Sequence, residues 1–321
     1  MTEPDRPLVT FALFAYNQEK YIREAVEGAF AQTYQPLEII LSDDCSSDRT
    51  FEIMQEMAAA YEGPHEVRVR QSVVNKRLAG HISDVLEESR GDIISWAAGD
   101  DIAKANRTTL FVSKILECDD YVGVHSNIEE IDTNGNFIRH RNHTKEQANI
   151  CLDRVTAFGD SVITQSHAFK RIVFETFGRF QDGLTQEGIA MAFREAALGR
   201  VAFIEDHLTL YRMGSGISTY SGMDIEKLKE SEPIKYTNWY LSAFRQMKAD
   251  SLVIGSKFSD EHTKRIDKGI IFFTLLNNIN QGHNSIPSLF KNFTAAPSDS
   301  RSIRAFVRRT MPKSLYRILK R

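Results

Sequence analysis

Cysteine is scarce: Cys45, Cys118 and Cys151 are the only three in 321 residues, and they lie far apart. They form neither a CxxC pair nor a zinc-ligand spacing, which excludes a disulfide framework and suits a reducing compartment. Neither a P-loop nor a GxGxxG fingerprint occurs, which argues against an ATPase and against a dehydrogenase. No charge sign dominates: 40 Lys and Arg face 43 Asp and Glu, a net charge of −3, so no general affinity for nucleic acid is expected. Long apolar runs are missing. Ile270–Phe273, resumed at Leu275-Leu276 after Thr274, falls far short of the roughly 18 residues that span a bilayer. The opening MTEPDRPLVTFALF lacks a basic stretch followed by a long apolar one, so no secretory leader is expected and a cytoplasmic protein is. Without a leader, the sequons at Asn106, Asn142 and Asn292 carry no meaning. No internal repeat is visible.

What is present suits a globular enzyme-sized chain. Apolar residues make up 42%, enough for a real core, and charged residues 26%, typical of soluble proteins. The first half alternates strand and helix patterns. Strands are expected at Leu8–Phe14, Leu37–Leu41, Glu66–Gln71, Ile93–Ala97 and Tyr121–Ile131. Helical spacing appears over Lys20–Ala31, from Phe51 to Tyr61 after a cap at Ser47 or Asp48, around Ile82–Leu86, and near Arg107–Leu116. Asp132-Thr-Asn-Gly135 is a turn signal. Such βαβ alternation implies an α/β fold with a mostly parallel sheet and helices on both faces. From about Asp153 to Arg212 the pattern is shorter and mixed, with helix signals at Lys170–Phe177 and Glu187–Leu198 and strand signals at Val201–Ile204 and Leu208–Tyr211. Beyond Gly222 the chain reads as mainly helical. The expected division is 1–222 as one domain and 223–321 as a helical extension.

Two acidic pairs, Asp43-Asp44 and Asp100-Asp101, follow expected strands. Carboxyl ends of strands are where α/β sheets bind ligands. Paired acids there suit a hard divalent cation, Mg²⁺ or Mn²⁺, together with substrate phosphates; the bland alternative is a solvated turn. In Ser42–Thr50 a carboxylate could accept from a base N–H or a ribose hydroxyl; helix capping needs one acid there, not the whole cluster. The loop Ala15-Tyr16-Asn17-Gln18-Glu19 offers Tyr16 for stacking on a flat base, or only a turn with a half-buried Tyr.

Together these segments resemble family 2 glycosyltransferases of the GT-A fold. The carriers are VTFALFAYNQEKYIREAVEGAFAQTYQPLEIILSDDCSSDRT, RGDIISWAAGDD, GVHSNIEEIDTNGN, AFKRIVFETFG and TQEGIAMAFREAALGRVAFIEDHLTLYR. They run from about Val9 to Ser218, roughly two thirds of the chain. The resemblance implies a nucleotide-diphosphate-sugar donor, a glycan or lipid-linked acceptor, transfer with inversion, and a Rossmann-like sheet followed by a helical C-terminal extension, with 1–131 as the nucleotide-sugar-binding half and 132–222 as the acceptor-side half of the catalytic domain. It places Ala15, Tyr16, Asn17, Glu19 and Asp44 at the nucleotide, with Asp44 bonding the base. Asp100 and Asp101 fall on the acidic motif that holds sugar diphosphate and metal, either one ligating directly. Arg77, in the Asn75-Lys76-Arg77 loop, would run beside the nucleotide or be a plain surface cation.

Three departures from the family pattern stand out. Ala98 replaces an acid two residues before Asp100. Gly188, six residues before Arg194, stands where the family's usual base Asp belongs, leaving Glu187 and Asp182 as candidate bases; Glu187 is equally a favourable acid at a helix N-terminus. Gly214 replaces a His after Tyr211-Arg212. Arg194 and Arg212 read as structural or substrate-bracing. His140 and His143, in HRNHTK, form an HxxH spacing that lacks further ligands and a helix, and are read as solvated. The last 21 residues carry eight Lys or Arg and no Asp or Glu, interleaved with apolar residues and split by Pro312. This stretch is either a peripheral contact with anionic membrane, at the inner face of the cell membrane, or a solvated helical end. Two other functions compete: a degenerate member that binds nucleotide-sugar or glycan without transfer, and a sugar nucleotidyltransferase. The last would need a glycine- and lysine-rich phosphate loop that Ala15–Lys20 does not provide.

Overall fold

The computed structural model describes residues 6–215, 232–255 and 258–281. The basic stretch 301–321, with its expected membrane contact, lies outside the described residues. β1 (Val9–Ala15), β2 (Leu37–Asp43), β3 (Glu66–Gln71) and β4 (Ile93–Ala98) form the first part of the sheet. Their pairing is parallel, in the order β3-β2-β1-β4. β1 and β2 are almost wholly buried, as parallel strands covered on both faces must be, which is why they read as continuous apolar runs. The helices α1 (Ile22–Phe30), α2 (Thr50–Ala59) and α3 (Arg77–Glu88) provide the crossovers, and α4 (Arg107–Leu116) follows β4.

Alternation along the strands splits the core in two. Val9, Phe11 and Leu13 of β1, with Ile93 and Ala97 of β4, pack with α1 and α4 on one face. Ala12, Ile94 and Trp96 pack with α3 on the other. That second cluster also takes in Tyr236, Phe244, Phe272 and Phe273, from the two long helices Pro233–Ile254 and Asp260–Asn280. Each fully buried side chain of this size contributes about 1.5–3 kcal/mol, so these helices share the core of the sheet.

The rest of the sheet is mixed. β5 (Ile102–Ala103), β6 (Tyr121–Ile131), β7 (Phe137–Arg141), β8 (His167–Lys170) and β9 (Arg200–Arg212) continue the order as β4-β8-β6-β9-β5, with β7 on β6. β8 is antiparallel to both β4 and β6, while β6 and β9 run parallel. The two strand signals Val201–Ile204 and Leu208–Tyr211 are one long strand, β9. Short helices α5 (Lys145–Ala148), α6 (Leu152–Phe158) and α7 (Ile172–Phe177) precede α8 (Glu187–Leu198). Arg194 of α8 is fully buried and makes a two-bond pair with Asp250 at 2.8 and 3.0 Å. It is therefore a structural link to the helix Pro233–Ile254, as one of its two sequence readings had it. Among the described residues, no helix is long and apolar enough to cross a membrane.

Candidate functional site

Because β2, β1 and β4 are adjacent and parallel, their carboxyl ends meet at one edge. Ala15 pairs with Asp43 and Phe14 with Ala98 across the ladders. The loops after these strands are bonded to each other. Asn17 Oδ1 accepts from the Ser47 N–H at 2.8 Å, and the Asn17 N–H donates to Ser46 Oγ at 2.8 Å. The Glu19 N–H donates to Asp48, and Glu19 Oε2 accepts from the Arg49 N–H. Asp43 accepts from the Ser46 N–H and from Gln71 Nε2. Most of the polar cluster 42–50 thus fastens one loop to the next, and the recorded bonds of Asn17 and Glu19 belong to that fastening.

Among the described residues the non-glycine residues with positive φ are Asn17 (53°), Cys45 (63°) and Arg77 (58°). Asn17 and Cys45 sit in the loops after β1 and β2, and Arg77 at the first position of α3, the helix that follows β3. A left-handed backbone at a residue with a Cβ costs roughly 1–3 kcal/mol and concentrates at functional sites. Tyr16 is half-buried beside this edge, Ala15 is buried, and Arg77 is exposed at the start of α3. Asp44 is 3% exposed and accepts the Lys76 N–H on Oδ1 at 2.8 Å, which draws the Asn75-Lys76-Arg77 loop to it. Burial pushes its pKa up, against the bond from Lys76.

Asp100 and Asp101 turn under the end of β4, 7% and 3% exposed. Gly99 is required there: a Cβ would lie 2.5 Å from Gln18 Oε1 and 2.8 Å from Ala15 Cβ. Arg212, at the end of β9, clamps the turn. Its N–H donates to Asp101 Oδ1 at 2.8 Å, its Nε to the Asp100 carbonyl at 3.0 Å, and its guanidinium reaches Glu24 at 2.6 Å. Ser215 Oγ donates to Asp100 Oδ2 at 2.9 Å. Burial raises the pKa of Asp100, and raises that of Asp101 well above the ordinary aspartate value with the Asp100 charge adding to it.

A second arginine lies behind them. Arg107 is fully buried and donates to the carbonyls of Gln165 and Trp96 and to Thr209 Oγ1. Burial lowers its pKa to about 9 despite the Asp101 carboxylate. Nothing in the sequence pattern marks Arg107, since only its distant partners show it to be buried. Gln18 was passed over too: its Oε1 is buried with no recorded partner. Two buried acids and an orphaned amide oxygen, all hard oxygen donors, fit a divalent cation of the Mg²⁺ or Mn²⁺ kind.

The structure separates the two candidate bases. β8 pairs His167 with Trp96 of β4, and a single 3₁₀ turn, Thr164–Ser166, precedes β8. Arg107 bonds both Trp96 and Gln165, so this turn lies at the carboxyl end of β4. Thr164 Oγ1 donates to Glu187 Oε1 at 2.9 Å. Glu187, first residue of α8, is partly buried, and desolvation raises its pKa. Asp182 is exposed in the loop between α7 and α8 and shows no recorded bond to this edge. A Cβ on Gly188 would lie 2.7 Å from the Val162 carbonyl and 2.9 Å from Ser161 Oγ, so the backbone leaves no space for an Asp at 188.

The reading of the HxxH histidines as solvated holds for His140, which is exposed, and is corrected for His143. His143 is half-buried, its ring against His125 and Phe203 and its N–H on Asn127 Oδ1. Burial lowers its pKa to about 4. His140 is exposed, but its ring meets His207 and lies 3.8 Å from Glu129.

Buried acids at the carboxyl ends of the parallel strands lie where open α/β sheets bind their ligands. Residues 10–208 match the model of glycosyl transferase family 2, and the chain belongs to that family. Glycosyltransferase GlyG of Streptococcus pneumoniae serotype 4 is 31% identical over 220 residues, 65% of this chain and 72% of that protein. Chondroitin synthase of Escherichia coli is 32% identical over 133 residues, 41% of this chain and 19% of that protein. Other relatives are matched over 25–73% of their own length, the putative glycosyltransferase EpsE of Bacillus subtilis over 36%. Among solved structures, S. aureus TarS 1–349 in complex with UDP-GlcNAc superposes with a TM-score of 0.60 at 13% identity, over 96% of this chain and 82% of that one. The mannosyltransferase PcManGT from Pyrobaculum calidifontis, in complex with GDP-Man and Mn²⁺, gives 0.56 at 14% identity, over 94% and 84%. These likenesses establish the GT-A fold.

Proposed function

We propose that the protein is an inverting glycosyltransferase. It moves a sugar from a nucleotide-diphosphate donor to a hydroxyl of a glycan or lipid-linked acceptor, in surface polysaccharide biosynthesis. The observation that carries this reading is the convergence of Asp44, Asp100 and Asp101 at the carboxyl ends of β2 and β4, with Glu187 beside the same edge. Asp44 accepts from the base, and Tyr16 and Arg77 flank it. Asp101 and Asp100 are the ligands for Mg²⁺ or Mn²⁺, which when bound supplies positive charge against the departing diphosphate. Glu187 takes the proton from the acceptor hydroxyl as its oxygen bonds to the anomeric carbon and the bond to the diphosphate oxygen breaks. A carboxyl with a raised pKa is the better general base near neutral pH. One such displacement inverts the anomeric centre. Donor use is supported by the UDP-GlcNAc and GDP-Man held by TarS and PcManGT, and the polysaccharide role by the likeness to chondroitin synthase.

A thermal-shift panel of UDP-, GDP- and dTDP-sugars with Mn²⁺ tests donor binding. A ligand at 100 times its Kd stabilises the folded state by about 2.7 kcal/mol, so one nucleotide class should raise the melting temperature and only with metal; no shift with any of them refutes the reading. The crowded Gly188 favours a second reading, binding without transfer. Donor binding without hydrolysis or transfer to any acceptor extract would establish it.

The basic stretch 301–321 is proposed as a peripheral contact with anionic membrane. Anionic liposomes should sediment the full chain and not a chain ending at Ser300. Equal sedimentation of the two removes the idea.

A further inference from the structure

Away from the acidic turn, three neighbouring strands converge on a different set of donors. Glu129 lies on β6, directly opposite His140 of β7 in the antiparallel ladder. His207 lies on β9, on the other side of β6, paired with Asn127. A register shift between Asn127 and Glu129 brings His207 toward the same face. One donor atom from each of Glu129, His140 and His207 lies within 4.8 Å of the others, and the two imidazole rings are 4.3 Å apart between centroids. From these positions we propose a second metal site, formed by Glu129, His140 and His207, for a Zn²⁺-class first-row transition ion.

The donor chemistry separates it from the acidic turn. Two imidazoles and one carboxylate suit borderline ions such as Zn²⁺, Co²⁺ or Ni²⁺, whereas Asp100 and Asp101 offer oxygen alone. Arg212 lies five positions beyond His207 on β9, roughly 16 Å of extended strand. The site is also oriented from outside. His207 Nε2 donates to Asn142 Oδ1 at 2.7 Å, which fixes the proton on Nε2 and leaves the Nδ1 lone pair for a ligand. The exposed His140 leaves the remaining coordination positions to water.

One group opposes the ion. Lys104 Nζ donates to Glu129 Oε1 at 2.8 Å, and coordination displaces it. Removing that ammonium should therefore tighten binding. An ion held here staples β7 and β9 to β6, which carry the exposed hairpin and the strand leading to Arg212.

The test uses the untagged full chain, stripped with chelator and titrated with Co²⁺ and then Zn²⁺. Expected are visible ligand-field absorption that saturates at one equivalent of Co²⁺ and its loss on adding Zn²⁺. Affinity should fall by about 10²-fold or more in His140→Ala and in His207→Ala, beyond the 10–100-fold typical of outer-shell losses. Lys104→Ala should bind more tightly and Asp101→Asn as the wild type does. Circular dichroism of each variant establishes that it is folded. The proposal is overturned if the wild type shows no saturable signal, if the histidine variants titrate like the wild type, or if Asp101→Asn alone removes the signal. Because Asp101→Asn leaves this site intact, a failure here is distinguishable from a failure of the donor site.

Discussion

Asp101→Asn is expected to raise the melting temperature of the metal-free protein at pH 8 while cutting sugar transfer by about 10²–10³-fold or more, the scale of losing a preorganised charged contact. Asp101 is 3% exposed and sits beside a second buried acid. Burial, then the Asp100 charge, raises its pKa in the folded state. A carboxyl whose folded pKa exceeds its unfolded pKa contributes stability that is fully present below the unfolded pKa, near 4, and is lost as pH rises through the folded one. In the metal-free protein near neutral pH, the ionised form is therefore a net strain on the fold. Asn keeps an oxygen for the Arg212 N–H that Asp101 Oδ1 accepts at 2.8 Å, but removes the charge. A relief of about 1 kcal/mol moves the midpoint of a domain of 150–250 residues by roughly 2–4 °C. The difference between variant and wild type should shrink toward pH 4, where the wild-type carboxyl is protonated. It should also shrink or reverse at pH 8 with saturating Mn²⁺, which the variant holds less well. Melts in chelator at pH 4, 6 and 8, beside a transfer assay, check all of this. A variant that melts below the wild type at pH 8, or that still transfers sugar at the wild-type rate, contradicts the assignment. Such a pattern is the expected trade between stability and function at a binding site.

The parallel half of the sheet was legible because its physics is local. β1, β2 and β4 are covered on both faces, so they appear as short apolar runs, and the helices between them carry their own periodicity. Glu66–Gln71, Arg107–Leu116, Tyr121–Ile131 and Glu187–Leu198 have the bounds expected of them. β8 escaped notice although it lies between β4 and β6. It is four residues long, and its His167 is buried by bonds to Glu195 at 2.6 Å and Trp96 at 3.0 Å; no hydropathy pattern marks a histidine whose partner is 28 or 71 residues away. β7 is exposed along its length and so has no apolar face to read. In the candidate site, the acids could be found because strand ends are places where acids need a reason. Of the arginines that hold them, Arg212 reads in sequence only as structural or substrate-bracing, because its partner Glu24 is 188 residues away, and Arg107 reads as an ordinary helix-start cation. The loop 42–50 shows the opposite error, since its wealth of polar groups pointed to ligand binding and much of it binds the loop 17–19 instead.

Glu187→Gln should lower the turnover number by about 10²–10⁴-fold, the usual contribution of a general base, while donor affinity in the thermal-shift assay stays within about twofold. Gln is isosteric and can still accept from Thr164 Oγ1, now 2.9 Å from Glu187 Oε1, so α8 should start where it does. The acid limb of the wild-type rate profile should lie above the ordinary glutamate range, because desolvation raises the Glu187 pKa, and this limb should vanish in the variant. Moving the acid by one residue should not rescue it. Helical residues one apart point about 100° away from each other, and a side chain at Gly188 meets the Val162 carbonyl at 2.7 Å. The double variant Glu187→Gln, Gly188→Asp should therefore remain inactive and lose stability by about 1–3 kcal/mol, the cost of overpacking a filled site. Recovery of turnover in that double variant would show that the backbone yields and that the register at 188 is the working one. Full turnover in Glu187→Gln with the acid limb intact would move the base to another carboxylate, Asp182 being the first to replace. The exposed position of Asp182 leaves its carboxyl hydrated, so Asp182→Asn should change neither the turnover number nor the pH profile if Glu187 is the base.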